Sequence, residues 1–211
     1  MYKRQGFIGS HTVVALQENG YDVVIVDDLS NSSIDVIDGI EASSGIRPLF
    51  EEMNLQNSIA LSSLFQKHKI KGIIHFAAFK AVGESIQKPV AYYQNNLGSL
   101  LNLLAEVEKA ASPIPFIFSS SCTVYGEAKE LPITENAPIQ SAKSPYGNTK
   151  QIGEEILSDT VHAIDGFRVI SLRYFNPIGA HSSVAIGELP LGKPQNLVPI
   201  ITQTAAGILP M

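Results

Sequence analysis

Short runs of β-branched and aromatic residues recur along the chain, alternating with stretches whose apolar residues fall at helical spacing. The runs cover residues 22–26, 48–51, 72–77, 115–118 and 169–172. Before the first lies a helical segment through 12–16 closed by Asn19-Gly20, and between them come a looser one over 33–43 and another over 59–68. A long one opens at Pro89 and is carried by Val90, Tyr93, Leu97, Leu100, Leu101 and Leu104, and a last one follows Ser144. Strands that are apolar throughout, rather than alternating, belong to a parallel sheet covered on both faces. The alternation predicts an α/β chain with a doubly wound parallel sheet, in which ligands sit at the carboxyl ends of the strands.

Composition narrows the class of function. The chain has 211 residues, 45% of them hydrophobic and 17% charged, enough apolar material for one domain or one and part of a second. With a net charge of −5 and no basic run, nucleic acid is not an expected partner. The lone cysteine, Cys122, excludes an internal disulfide and suits a reducing compartment. No apolar run reaches the length of a membrane span, and Met1 to Gln5 lead into glycine rather than into a leader's apolar core, so no membrane partner and a cytoplasmic location are expected.

The polar residues cluster just after strand ends. Ser144-Pro145 is a favoured N-cap and first-turn pair, and it puts Tyr146 and Lys150 one turn apart on one helix face. An ammonium beside a phenol favours the phenolate, and bringing a group with a reference pKa near 10 to work at neutral pH takes about 4 kcal/mol. Taken alone, the pair reads equally well as two surface side chains. Asp27 follows the first run, about 20 residues after the Gly6-Phe7-Ile8-Gly9 turn, where a carboxylate can accept hydrogen bonds from an adenosine ribose. Phe76-Ala77-Ala78-Phe79-Lys80 offers small residues for close backbone approach, and Ser119-Ser120-Ser121 would face the same cleft as Tyr146. His11 and His75 are expected to be structural. Metal-ligand spacings, carboxylate pairs and a nucleophile elbow are absent, so no metal is expected.

Longer stretches carry a resemblance. They are Gly6 to Thr12, Val26 to Ser32, His75 to Ser85 with its Lys80-Ala81-Val82-Gly83-Glu84-Ser85, and Tyr92 to Asn96. Ser119 to Gly126, Ser144 to Lys150, and Arg173-Tyr174-Phe175-Asn176-Pro177-Ile178-Gly179-Ala180-His181 continue the series. In these the chain resembles the extended short-chain dehydrogenase/reductases, which are Rossmann-like, and within them the UDP-galactose (UDP-glucose) 4-epimerases. Tyr-x-x-x-Lys and the glycine turn mark only the superfamily, whereas the segments from Lys80 and from Arg173 are far more specific.

The resemblance implies an NAD-dependent isomerase of galactose metabolism that interconverts UDP-glucose and UDP-galactose by transient oxidation at sugar C4. It implies Tyr146 as the base at the 4-hydroxyl, Ser121 hydrogen-bonded to the reacting oxygen, and Lys150 on the nicotinamide ribose, lowering the tyrosine pKa. Gly6, Phe7, Ile8, Gly9, Asp27, Asn31, Ser32, Asn54, Leu55, Phe76, Ala77, Ala78, Lys80, Asn95 and Tyr174, with Tyr146 and Lys150, are implied to bind NAD. Lys80, Ser121, Cys122, Tyr146, Asn176 and Asn196 are implied to bind the UDP-sugar, in a protein whose full-length form is a homodimer. The alternatives are another NAD-dependent sugar-nucleotide dehydratase or decarboxylase, or an inactive nucleotide-binding fragment. A dehydratase is expected to carry Asp-Glu straight after the active-site serine or threonine, where this chain has Cys122-Thr123.

Residues 1–175 are expected to form the NAD-binding domain and 176–211 to begin the UDP-sugar region. Met1 to Gln5 stand where the family has a buried first strand, with Lys3 at the first glycine of the turn, and the family's substrate domain extends beyond Met211. The chain therefore reads as truncated at both ends. It is expected to leave the strands ending at Asp27 and Ala77 without a ladder partner between them, and to hold its fold and NAD poorly.

Overall fold

A computed structural model describes residues 6–128, 130–188, 194 and 196–210. The departure read at Met1 to Gln5, Lys3 included, lies outside them. In chain order the first elements are α1 (Phe7–Glu18), β1 (Val24–Asp27), α2 (Asp35–Ser44), β2 (Leu49–Glu52), α3 (Ser58–Lys67) and β3 (Ile73–His75). Then come α4 (Val82–Gln87), α5 (Pro89–Lys109), β4 (Phe116–Ser121), a 3-10 turn (Cys122–Tyr125), α6 (Pro145–Ala163), β5 (Val169–Tyr174) and α7 (Leu197–Ala205). The expected alternation and the all-parallel pairing are both present. The chain forms two compact units, one of residues 1–54 with 176–211 and one of residues 55–175.

In the first unit β1 and β2 pair in parallel, Val24 opposite Leu49 through Asp27 opposite Glu52. The buried residues of α1 are Ser10, Val13, Val14 and Gln17, the i, i+3, i+4, i+7 stripe of a helix laid on a core. Val13 and Val14 meet Val36, Ile37 and Ile40 of α2, with Val23, Ile25 and Phe50 packed against them. Ile186, far along the chain, completes this core. Its segment passes so close to α2 that a Cβ on Gly39 would lie 2.6 Å from the Ala185 carbonyl oxygen.

In the second unit β4 lies between β3 and β5, all parallel. Ile73 is opposite Phe116, and Ser121 is opposite Tyr174. α5 buries Tyr92, Asn96, Ser99, Leu100, Leu103, Leu104 and Val107. α6 crosses β4 at Gly153, where a Cβ would lie 2.8 Å from Phe118 Cζ.

Several boundaries differ from the sequence reading. The run over 72–77 is a strand only over Ile73–His75, because the chain turns away to Asn96 (below). The serine run extends β4 instead of following it, its backbone paired with β5 as far as Tyr174. α4, the 3-10 turn and α7 went unforeseen, being short or lacking a strong periodic signal.

Candidate active site

The site in the second unit is built on the carboxyl ends of β3, β4 and β5 and the first turns of α6. Ser144 caps α6, its Oγ accepting from the Gly147 N–H at 3.1 Å, and Pro145 supplies the first-turn φ. Tyr146 and Lys150 therefore leave α6 on one face, as the spacing requires. Ser121, the last residue of β4, lies beside the Tyr146 phenol and favours its ionised form. The Lys150 ammonium donates to the Ser119 carbonyl at 2.6 Å and lies 4.8 Å from the centre of the Phe118 ring and 5.9 Å from that of Tyr146. The structure thus brings Ser121, Tyr146 and Lys150 together.

The electrostatics differ from the expectation in one respect. Lys150 is only 4% exposed, and burial pulls its pKa down to about 8, with Glu154 opposing the drop. Tyr146 is not depressed. Burial raises it, with the nearby Cys122 adding to the rise, and Ser121 only partly offsets this. His75 is buried between Phe116 and Phe118, and burial followed by the Lys150 charge takes its pKa down to about 3. It is neutral and structural, as expected.

The Phe76–Lys80 turn is held by a residue that the sequence reading left out of the site. Asn96 on α5 accepts from the Phe79 N–H at 2.8 Å and donates to the Phe79 carbonyl at 3.0 Å. The same amide group also donates to Thr149 Oγ1 on α6 at 3.0 Å. One buried amide thus ties the turn after β3 to the helix carrying Tyr146. Its neighbour Asn95, the residue expected at the cofactor, donates to Asn96 Oδ1 at 3.0 Å. Ala77 and Lys80 are exposed, Phe76, Ala78 and Cys122 half-buried, and Tyr174 half-buried at the end of β5. Leu55 is buried, its carbonyl accepting from Asn102 at 2.9 Å.

Glu154, Arg173 and Tyr125 form a second group missed from sequence. Arg173 donates twice to Glu154, Nε to Oε1 at 3.0 Å and Nη2 to Oε2 at 2.7 Å, and its Nη1 donates to the Tyr125 hydroxyl at 3.0 Å. Ser120 Oγ also donates to Glu154 Oε1. The strand–helix alternation gave no signal for this set, since its members meet only in three dimensions.

The first unit holds the remaining expected residues. Gly6 caps α1, its carbonyl accepting from the Ser10 N–H at 2.7 Å, with Phe7, Ile8 and Gly9 in the first turn. A Cβ on Gly6 would meet nothing within 4 Å, so this backbone is open to close approach. Asp27 Oδ1 accepts from the Leu29 N–H and from Ser32 Oγ, both at 2.7 Å. That bonding closes the turn and leaves Oδ2 without a donor among the described residues. Asn31 is exposed, and Asn54 donates to Asp28 Oδ2 at 2.8 Å. Asn176 is exposed, and Asn196 precedes α7 and donates to Glu188. Among the described residues no three His, Cys, Asp or Glu side chains gather as a metal site would need, and no helix is long and apolar enough to cross a membrane.

Residues 4–209 match the family model described as GDP-mannose 4,6 dehydratase. UDP-glucose 4-epimerase of Erwinia amylovora is 48% identical over 204 residues, 97% of this chain and 60% of that protein. The enzyme of the same name from Dictyostelium discoideum is 47% identical over 206 residues, 98% of this chain and 59% of that protein. Among solved structures, UDP-glucose 4-epimerase of Bifidobacterium longum in complex with NAD+ and UDP superposes with a TM-score of 0.93 at 43% identity. It covers 97% of this chain, which in turn covers 61% of that one. The Stenotrophomonas maltophila enzyme, with bound NAD and formylated UDP-arabinopyranose, gives 0.92 at 42%, covering 97% of this chain and 60% of that one. The chain spans about 60% of the length of the curated relatives it matches.

Proposed function

The chain belongs to the family described as GDP-mannose 4,6 dehydratase, and on that premise we propose that the protein is an NAD-dependent 4-epimerase interconverting UDP-glucose and UDP-galactose. The observation that carries the proposal is the meeting of Ser121, Tyr146 and Lys150 at the end of β4. The likeness to the 4-epimerases supports it.

The residues present fit the cofactor. In the first unit, the open approach at Gly6 suits a pyrophosphate, and the donor-free Oδ2 of Asp27 suits a ribose hydroxyl. Phe7, Ile8, Gly9, Asn31, Ser32 and Asn54 are proposed to accompany them. In the second unit the Lys150 ammonium suits the other ribose, with Leu55, Phe76, Ala77, Ala78, Lys80, Asn95 and Tyr174 proposed alongside. NAD, when bound, supplies reversible two-electron oxidation of the sugar's C4 carbon. Tyr146 takes the proton from the 4-hydroxyl and returns it, acting as a base where the Lys150 ammonium, 5.9 Å from its ring, offsets the burial that otherwise holds it protonated, while Ser121 bonds the same oxygen and keeps it oriented. Lys80, Cys122, Asn176 and Asn196 are proposed to hold the UDP-sugar. Residues 1–175 are proposed as the NAD-binding domain and 176–211 as the start of the UDP-sugar region, in a cytoplasmic homodimer without nucleic-acid or membrane partners.

Epimerisation is favoured over dehydration because expelling water needs an acid and a base beside the oxidised carbon. The positions after Ser121 hold Cys122 and Thr123, neither a carboxylic acid. The test is to incubate the whole protein with UDP-galactose and NAD. UDP-glucose should accumulate with no net reduction of NAD, and a product lacking one water would replace this reading with a dehydratase.

A further inference from the structure

The buried Lys150 has a carboxylate near it that does not pair with it. Glu154 lies one turn further along α6, so Tyr146, Lys150 and Glu154 share a helix face. Its side chain is 12% exposed, and both carboxylate oxygens are occupied, Oε1 by Ser120 and Arg173 and Oε2 by Arg173. Arg173 is itself anchored on Tyr125, with the guanidinium 4.9 Å from that ring. Lys150 meanwhile donates to a backbone carbonyl, Ser119. Lys150 and Glu154 thus stand one turn apart on α6 and are anchored by separate hydrogen bonds at the adjacent residues Ser119 and Ser120 of β4.

We infer that Glu154 is a positioning residue for the reaction, fixed by Arg173 and Ser120 so that it keeps Lys150 charged without tying up its ammonium. A direct salt bridge would hold the charge but consume the donor hydrogens that a ribose or the tyrosine oxygen needs. A more distant carboxylate supplies the field alone, and field is strong where water is excluded. Arg173 stops Glu154 from rotating toward Lys150, because leaving would break a bidentate pair in a partly buried place.

The other titratable groups around this part of α6 do not replace it. They are His75 from β3, Cys122 and Tyr125 from the 3-10 turn, Tyr93 from α5 and Arg173 from β5. His75 is uncharged, Arg173 carries the wrong sign, and Glu154 raises the Lys150 pKa against the burial that lowers it. The inference rests on reading Lys150 as part of the catalytic group, but its test does not need turnover.

The experiment follows the Lys150 side-chain ammonium by NMR across pH in the chain labelled at lysine, for the parent and for Glu154→Gln, with melting curves recorded alongside. Glutamine keeps the shape and an acceptor for Arg173 while removing the charge. Lys150 should then lose its proton at a pH lower by about one unit, a tenfold shift in its protonation equilibrium. If the single variant melts early, the comparison is made instead between Arg173→Met and Arg173→Met with Glu154→Gln, which leave no lone guanidinium and differ only in the Glu154 charge. A folded variant whose Lys150 titrates as in the parent overturns the inference, even if the protein proves to be an epimerase. A shifted titration upholds it even in a chain that shows no epimerase activity.

Discussion

Lys150 is a cation in a place that disfavours cations, and that conflict can be measured. Its folded pKa of about 8 lies below the lysine reference of 10.5, so between those values the unfolded chain binds the extra proton. Stability must then rise with pH across that window as the burial penalty on the ammonium is relieved. A Lys150→Met variant lacks this dependence. The melting temperature of the parent is expected to gain on that of the variant from about pH 8 upward, and a constant difference would show that Lys150 titrates as it does in water. Sequence spacing made Tyr146, Lys150 and Ser121 legible because a helix places i and i+4 on one face and a parallel sheet brings its strand ends together. It could not show solvation, which is why the expected depression of Tyr146 gives way to a rise caused by burial. Nor could it find Glu154 and Arg173, 19 residues apart in sequence, or Glu154 and Ser120, 34 apart.

At the scale of elements, two glycines set how closely the parts approach. Gly153 lets α6 lie against β4, where an added Cβ would meet the buried Phe118 ring at 2.8 Å and Leu100 at 3.4 Å. Gly39 lets the Ala185–Ile186 segment lie against α2, where the obstacle is a backbone oxygen at 2.6 Å. Gly153→Ala and Gly39→Ala are each expected to lower stability by about 1–3 kcal/mol, the usual cost of overpacking. Gly83→Ala, in α4 with nothing within 4 Å, serves as the control and is expected to be neutral or stabilising by up to about 1 kcal/mol. Denaturant unfolding of the three variants checks this, and equal stabilities would contradict the packing account. Element type was legible from period and punctuation, as at Pro89 and at Ser144-Pro145. Strand ends were less so, since the end of β4 depends on a partner, β5, that pairs with the serines as far as Ser121.

At the scale of the whole molecule, the parallel α/β class followed from apolar strands alternating with helices. The division into two units was not legible. Residues 176–211 rejoin the first 54 through Ile186, a contact that no local pattern announces. The function rests on a chemical group in one unit, and the central claim is that Tyr146 moves the proton. The most direct measurement compares the whole protein with its Tyr146→Phe variant for the rate of UDP-galactose conversion to UDP-glucose, at matched melting temperature. Phenylalanine keeps the ring and removes only the hydroxyl, so the fold should be unchanged while turnover falls about 100-fold or more. A folded Tyr146→Phe protein that converts UDP-galactose at the parent's rate would contradict the account.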